Sequence, residues 1–225
     1  MKEIATNVFQ LSLLPRNSIN CYVVDDILID AGIRSSAAKI LKAIRTKTIN
    51  THVLTHAHAD HQGSSNAICI ARNIPLWTSE TEKANAESGR VIYEYPDATH
   101  VVARFQQKYW AGKGMPVSKT LKEGDPVGSF TVIETPGHSN GHLSFFREKD
   151  RLLIAGDALI NMNLLTTITG LSLPPSLFTT NRETAIQSVL KIYALKPNII
   201  CFGHGPVLYN NGQLEKLVEK LSEIS

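Results

Sequence analysis

Four side chains that can bind metal ions lie within six residues of this sequence, in the segment Thr55-His56-Ala57-His58-Ala59-Asp60-His61. In an extended segment, side chains two residues apart point the same way, so His56 and His58 can bind one ion together. Asp60 and His61 are adjacent and diverge, which suits a second ion beside the first. Three imidazoles this close would repel one another when protonated, so a polar loop with solvated histidines is the weaker interpretation.

Three later residues with metal-binding side chains each follow a predicted strand and lie beside glycine. They are His138 in Pro136-Gly137-His138-Ser139, Asp157 in Gly156-Asp157, and His204 in Gly203-His204-Gly205. Glycine permits a tight turn and lets the backbone approach an ion closely. Strand ends on a rigid scaffold can hold ligands in fixed geometry. A single histidine in a glycine turn is more often structural, so the prediction depends on the repetition.

Short strands and helices alternate along the chain without a strict repeat. Strands are predicted at 8–13, 20–24, 27–29, 53–55, 130–134, 143–146, 152–155 and 199–202. Helices are predicted after a Ser35 cap, over 63–72, after a capping box of Thr180 and Glu183, and at the C-terminus, where Leu214, Leu217, Val218 and Leu221 share a face. The mixture indicates two sheets with helices on their outer faces, in one domain over residues 1–225.

The composition is that of an ordinary globular protein, with 43% hydrophobic and 19% charged residues. A net charge of +3 without a run of Lys or Arg argues against nucleic acid as a partner. No apolar stretch is long enough to span a bilayer, and the N-terminal residues lack the uninterrupted apolar core that a signal peptide has. Cys21, Cys69 and Cys201 lie far apart in apolar segments, which predicts buried free thiols in a reducing cytoplasm. We expect a cytoplasmic protein with a small-molecule substrate, and its oligomeric state stays open.

The ordered set of motifs resembles the metallo-β-lactamase superfamily over nearly the whole chain, from Ile29-Asp30-Ala31-Gly32 to Gly203-His204-Gly205. The resemblance implies an α/β fold, a four-layered αβ/βα sandwich of two mixed β-sheets flanked by helices, with metals at the lip between the sheets. It implies two divalent ions, one bound by His56, His58 and His138, the other by Asp60, His61 and His204, with Asp157 bridging them. Zinc suits these donors, although iron or manganese would be accepted, and no other cofactor is expected.

Two further residues are expected behind the metal ligands. The resemblance implies that Asp30 hydrogen-bonds a ligand histidine and fixes its tautomer. The alternative is that Asp30 is a turn residue before Gly32. His142 is interpreted as a structural histidine that supports the loop of His138. His52 and His100 have no such context and are interpreted as surface or packing residues.

Residues 78–128 form a long segment that is rich in aromatic side chains. Val102, Phe105 and Tyr109 fall on one face of a predicted helix. That pattern fits a lid that builds a substrate pocket over the metals, and it fits equally a helix whose aromatic side chains pack in the core. The loop at 161–175 is a second candidate wall of the pocket.

Features missing from this sequence narrow the function that the resemblance implies. About twenty residues follow His204, too few for the substrate domain of glyoxalase II, and residues 159–168 lack the tyrosine of quorum-quenching lactonases. There is no room for the inserted domain of the nuclease branch, and His58 stands where the flavin-dependent diiron branch usually has Glu. The implied function is a binuclear hydrolase of a small ester, thioester, lactone or related acyl compound, in which Asp60 orients a hydroxide held between the ions. A mononuclear iron persulfide dioxygenase is the main alternative, and a non-catalytic metal-binding protein is the third.

Overall fold

Two mixed β-sheets form the centre of the fold in a computed structural model that describes residues 1–222. The first sheet has seven strands in sequence order: β1 (Lys2–Ala5), β2 (Val8–Ser12), β3 (Asn20–Val24), β4 (Ile27–Ile29), β5 (Thr51–Val53), β6 (Leu76–Ser79) and β7 (Val117–Leu121). Neighbouring strands are antiparallel from β1 to β4 and parallel from β4 to β7.

The second sheet has six strands: β8 (Pro126–Val127), β9 (Phe130–Glu134), β10 (Leu143–Arg147), β11 (Leu152–Ile154), β12 (Ile199–Cys201) and β13 (Leu208–Tyr209). Their order across the sheet is β13-β12-β11-β10-β9-β8, and only β11 and β12 pair in parallel. The parallel pair matters for the site, because the carboxyl ends of β11 and β12 meet at one edge of the sheet.

Helices cover the outer faces and carry part of the site. They are α1 (Ala37–Ala43), α2 (Ala59–Gln62), α3 (Ser65–Arg72), α4 (Lys83–Ser88), α5 (Val101–Tyr109), α6 (Arg182–Ala194) and α7 (Gln213–Ser222). Short 3₁₀ turns lie at Pro15–Asn17, Arg34–Ser36, Val91–Glu94 and Ser176–Phe178. Within residues 1–222, none of the helices combines the length and the apolar composition that crossing a membrane requires.

Side chains alternate between core layers along each strand, as a period of two residues requires. In β3, Cys21 and Val23 join the core under α1 and α3, whereas Tyr22 and Val24 face the second sheet. In β10, Phe145 faces the first sheet, and Phe146 packs under α6 and α7. Helix, sheet, sheet and helix therefore form four layers, and the predicted fold class is confirmed. All three cysteines are free and buried.

The strand that delivers the first histidine cluster ends earlier than the predicted range of 53–55. Strand β5 ends at Val53, and the Leu54 amide still donates to the Trp77 carbonyl at 3.0 Å. The Thr55 amide instead donates to Asp30 Oδ1 at 2.9 Å, so the backbone leaves the sheet there. The prediction missed this because strand propensity carries no information about a side chain that competes for the backbone amide.

Two predicted helix starts are wrong. A 3₁₀ turn at Arg34–Ser36 leads into α1, and no side chain caps that helix. Helix α6 is capped by Asn181, whose Oδ1 accepts from the Thr184 amide at 2.9 Å, instead of by the predicted capping box. The Thr180 hydroxyl donates to the His138 carbonyl at 3.2 Å. A contact with a distant loop therefore takes the group that was expected to cap the helix.

Candidate metal centre

The seven predicted metal ligands meet at one edge where the two sheets face each other. The first four follow β5, with His58 at the N-cap of α2 and Asp60 and His61 on that helix. The other three lie on the second sheet, in the loop from β9 to β10 and directly after β11 and β12: His138, Asp157 and His204. Six of the seven side chains belong to residues that are at least nine-tenths buried, and Asp60 is partly exposed toward the cavity above.

Three overlapping groups of donor atoms are close enough to bind metal ions. Within each group, all the atoms lie within 4.8 Å of one another. The groups are His56, His58 and His138; His56, His61 and Asp157; and Asp60, His61 and His204. The first and third match the two predicted ligand sets, and the second joins them.

Asp157 lies between the two ligand sets. Its Oδ2 is 3.6 Å from His138 Nε2, 3.5 Å from His61 Nε2 and 3.0 Å from His204 Nε2. Gly203 makes room for this carboxylate, because a Cβ atom at that position would lie 2.1 Å from Asp157 Oδ1. The glycine before His204 therefore serves the close approach that the sequence pattern indicates.

Asp30 lies directly behind the cluster. Its Oδ2 accepts a hydrogen bond from His61 Nδ1 at 2.9 Å, and both its carboxylate oxygens accept from the Thr55 hydroxyl. The same hydroxyl contacts His56 Nδ1 at 3.0 Å. With Nδ1 engaged, both imidazoles present Nε2 to the site. Asp30 holds a left-handed φ of +60°, a conformation that its hydrogen bonds to Thr55 and His61 help to maintain.

His142 and Ser18 orient ligands on the opposite side. His142 Nε2 accepts from the Asp157 amide at 3.0 Å, while its Nδ1 contacts Thr135 Oγ1 at 2.8 Å. The histidine therefore supports the turn of Asp157 as well as the base of the His138 loop, and the contact with Asp157 was not predicted. His204 Nδ1 donates to the Ser18 carbonyl at 2.5 Å, which leaves Nε2 facing Asp157 and Asp60.

The donor atoms that face inward have the properties of metal ligands. Within the described part of the chain, the Nε2 atoms of His56, His58, His61 and His138 are buried without a hydrogen-bond partner, as is Asp157 Oδ1. Buried polar atoms are almost always satisfied, so this concentration in one place requires an explanation. Metal ions fit this donor set, since neutral imidazoles and carboxylates suit first-row divalent ions.

Protonation divides the ligands into two kinds. Burial, followed by the repulsion of neighbouring imidazoles, holds the pKa of His56 well below its usual range. Burial also holds the pKa of His58 well below that range and lowers the pKa of His138 to about 4. These three imidazoles are neutral at physiological pH, the form that binds a metal ion.

Near the two carboxylates, the pKa shifts favour the charged forms of the candidate ligands instead. Burial would lower the pKa of His204, but the Asp157 and Asp60 carboxylates raise it to about 10. Burial would raise the pKa of Asp157, but His204 and His61 hold it well below its usual range. The carboxylates therefore attract positive charge, which a divalent ion can supply in place of the imidazole protons.

A model of the metallo-β-lactamase superfamily matches residues 14–204, a range that contains all seven candidate ligands. The chain belongs to the metallo-β-lactamase superfamily. The predicted family is thus confirmed, as is the enzyme class, a metallo-hydrolase of this superfamily. Membership implies that the chain binds divalent metal ions.

Relatives within the superfamily match most of the chain. The probable metallo-hydrolase YflN of Bacillus subtilis strain 168 is 30% identical, over 88% of this chain and 83% of that protein. A probable metallo-hydrolase of Streptococcus pyogenes serotype M6 is 32% identical, over 82% of this chain and 78% of that protein. The crystal structure of TTHA1623 in a di-iron-bound form has a TM-score of 0.70 at 24% identity, covering 94% of this chain and 96% of that one. That likeness supports the metallo-β-lactamase fold.

Glu82 joins the ligand loops of the two sheets, and the sequence analysis missed it. It is fully buried, at 0% exposure. Its Oε2 accepts from the Ala57 amide at 2.9 Å, and its Oε1 accepts from the Gly141 amide at 3.1 Å. The first amide lies between two histidines of the first cluster, and the second lies in the loop of His138. No local pattern marks this residue, because both of its contacts are distant in sequence.

Tyr95 is a second residue whose place in the site was missed. Its ring lies 4.4 Å from the His58 ring, centroid to centroid, and its hydroxyl donates to Gln106 Oε1 at 2.6 Å. Burial and the nearby Asp60 hold the pKa of the phenol well above its usual range, although the Ala59 amide opposes them. The phenol is therefore a protonated donor beside the ligands. The aromatic composition of 78–128 was the available signal.

A cavity of about 340 Å³ opens above the cluster. One wall comes from α5 and the turn before it, and the other comes from the loop at 161–175, as expected for the second wall. The aromatic side chains of α5 are not core residues, since Phe105 and Tyr109 are each about half exposed. Val102 on the same helix lines the cavity. Helix α5 therefore forms part of a cavity wall, while movement of residues 78–128 as a lid stays a prediction.

The two histidines without a predicted role lie in ordinary structural positions. His52 is buried, with Nδ1 at 3.0 Å from the Leu28 carbonyl and Nε2 at 2.8 Å from Ser65 Oγ. His100 caps α5, where its Nδ1 accepts from the Val102 amide at 3.2 Å. Neither belongs to the metal centre.

Proposed function

We propose that this chain is a binuclear metal-dependent hydrolase of a small ester, thioester, lactone or related acyl compound. The observation that carries the proposal is the position of Asp157, whose Oδ2 lies within 3.6 Å of ligands from both histidine groups. A carboxylate there can bridge two ions. Divalent ions held in that site would lower the pKa of a bound water toward neutral pH and would polarise the carbonyl of the substrate.

Asp60 is the proposed catalytic residue of the chain. Its pKa is lowered to about 2, because His204 and His61 outweigh the effect of burial, so the carboxylate stays ionised. It lines the cavity and lies 3.3 Å from His204 Nε2. From this position Asp60 can accept a hydrogen bond from the attacking water and fix its orientation.

Zinc is the proposed metal, because three imidazoles on one side and mixed carboxylate and imidazole donors on the other suit it. The di-iron-bound form of TTHA1623 shows that a protein of this fold holds iron, so iron is an alternative outcome for this chain. Manganese is a third.

The test combines metal content with reaction class. Protein purified without added metal is analysed for zinc, iron and manganese. It is then assayed with thioesters, lactones, aryl esters, phosphodiesters and a β-lactam, beside oxygen uptake with glutathione persulfide. Two metal ions per chain and hydrolysis of an acyl substrate are expected. One iron per chain, with oxygen consumption and no hydrolysis, would instead establish the persulfide dioxygenase.

We also propose that the chain functions as one domain in the cytoplasm, without a nucleic acid or membrane partner. The core between the two sheets draws on both halves of the chain, for example Val8 and Phe145, which supports a single domain. Three buried free thiols suit a reducing compartment. The net charge of +3 gives little attraction for phosphate backbones.

A further inference from the structure

The cavity above the metal centre is lined mainly by apolar side chains. Away from the candidate ligands, its walls include Tyr95, Val102, Trp110, Leu165 and Phe178. None of the described residues that line it is lysine or arginine. A charged group on the substrate would therefore lose its water here without gaining a cation to pair with.

The polar side chains of the walls already have partners within the protein. Outside the metal centre and Tyr95 they are Ser18, Gln106 and Thr167. The Ser18 hydroxyl donates to the Pro15 carbonyl, and Gln106 Oε1 accepts from the Tyr95 hydroxyl. Thr167 Oγ1 accepts from Arg16 and donates to the Thr166 carbonyl. These hydrogen bonds hold the walls in place.

Apolar surface continues outward from the cavity. Leu165 lines it and yet is 95% exposed, which is unusual for leucine. On the other side, the half-exposed ring of Phe105 contacts the ring of Trp110 in the wall, with 6.1 Å between centroids. Continuous apolar surface around a concave site marks a place where apolar ligands bind.

We propose that the substrate carries an uncharged, apolar acyl or ring substituent, which lies between α5 and the loop at 161–175 while its carbonyl faces the metal centre. This inference rests on the proposed hydrolase function and specifies its substrate class. Substrates with a carboxylate on that substituent are disfavoured. Arg16 donates to Thr167 Oγ1 at 2.8 Å but does not itself line the cavity.

The test uses three 4-nitrophenyl esters: the acetate, the octanoate and the half-ester of suberic acid, which has the length of the octanoate and a terminal carboxylate. We expect kcat/KM to rise at least tenfold from acetate to octanoate, because each methylene buried in the cavity strengthens binding. We expect it to fall at least tenfold from octanoate to suberate. Equal values for octanoate and suberate, or for octanoate and acetate, would overturn the proposal.

Leu165→Lys places a cation in the wall at an exposed position that tolerates it. This variant should reduce the preference for octanoate over suberate at least tenfold. Ile168→Lys is the matched control, since Ile168 is exposed on the same loop but does not line the cavity. This variant should prefer octanoate over suberate as strongly as the wild type does. An unchanged preference in Leu165→Lys would contradict the assigned wall. If the wild type prefers suberate and Arg16→Gln abolishes that preference, the cavity has a subsite that binds anions through Arg16 instead.

Ligand binding, measured without turnover, tests the substrate class separately from the hydrolase function. Trp110 lies in the wall, so the tryptophan fluorescence of the protein reports ligands in the cavity. The uncleavable ketone 2-decanone should bind at least tenfold more tightly than 9-oxodecanoate, its analogue with a terminal carboxylate. If the ketone binds but no ester, thioester or lactone is hydrolysed, the hydrolase function is wrong and the apolar cavity stands. If 9-oxodecanoate binds as tightly as the ketone, the substrate class is wrong.

Discussion

The Asp157 carboxylate lies between the two ligand sets of the candidate metal centre. Its Oδ2 is within 3.6 Å of three imidazole nitrogens, which come from the first histidine cluster, the β9 to β10 loop and the end of β12. Asp60 belongs only to the third donor group, so no other carboxylate of the described clusters can replace the proposed bridge.

Replacing Asp157 by alanine should therefore remove at least one metal ion per chain. The measurement is metal content after purification and dialysis, by elemental analysis. Asp97→Ala is the control, because Asp97 is an exposed carboxylate that accepts hydrogen bonds from Thr99 and belongs to none of the donor groups. If Asp157→Ala keeps both ions at full occupancy, the bridging role is wrong.

Asp60 should contribute to turnover beyond metal binding. Asp60→Asn keeps the shape of the side chain and removes the charge that orients the attacking water. We expect kcat to fall by about 100-fold or more, with a much smaller change in KM, as for the loss of a positioned acid–base group. Kinetics with the best acyl substrate, beside metal analysis of the same sample, provide the check. Equal changes in kcat and KM would indicate a purely structural residue.

At the scale of elements, the sequence predicted where the ligands lie better than what holds them there. Strand propensity located β3, β4 and β9 with their observed bounds, and each later ligand follows a strand as expected. The turn of the backbone at Thr55 depends on Asp30, which is 25 residues away. A local pattern cannot contain such a contact, and the same reason explains why Glu82 was missed.

Glu82 should set the spacing of the ligand loops from the two sheets. A glutamine has one acceptor oxygen, so Glu82→Gln leaves either the Ala57 or the Gly141 amide facing a donor in a buried site. We expect this to cost about 1–3 kcal/mol of stability. The affinity for the ion at His56, His58 and His138 should also fall at least tenfold, measured by competition with a chelator.

The control for that variant is Glu80→Gln, which removes the same charge at an exposed position two residues away. It should leave both the melting temperature and the metal affinity unchanged. A lower melting temperature in Glu82→Gln with unchanged metal affinity would show that Glu82 stabilises the fold without positioning the ligands.

At the scale of the whole molecule, the metal centre and the cavity differ in how far they follow from sequence. The candidate ligands are few residue types in fixed local patterns, so the superfamily could be predicted, and the structure brings the seven candidate side chains together. The walls of the cavity depend on packing between distant segments. Tyr95 is buried beside His58, whereas Phe105 in the same aromatic segment is half exposed, and composition alone does not distinguish them.

We expect hydrolysis to require two metal ions in this one site. The most direct test is a titration of metal-free protein with zinc, following hydrolysis of the best acyl substrate at each step. We predict that the rate rises until two equivalents of zinc per chain are bound and then stays constant, because the donor groups around Asp157 complete two ligand sets. A maximal rate at one equivalent, or no hydrolysis at two, would contradict the account.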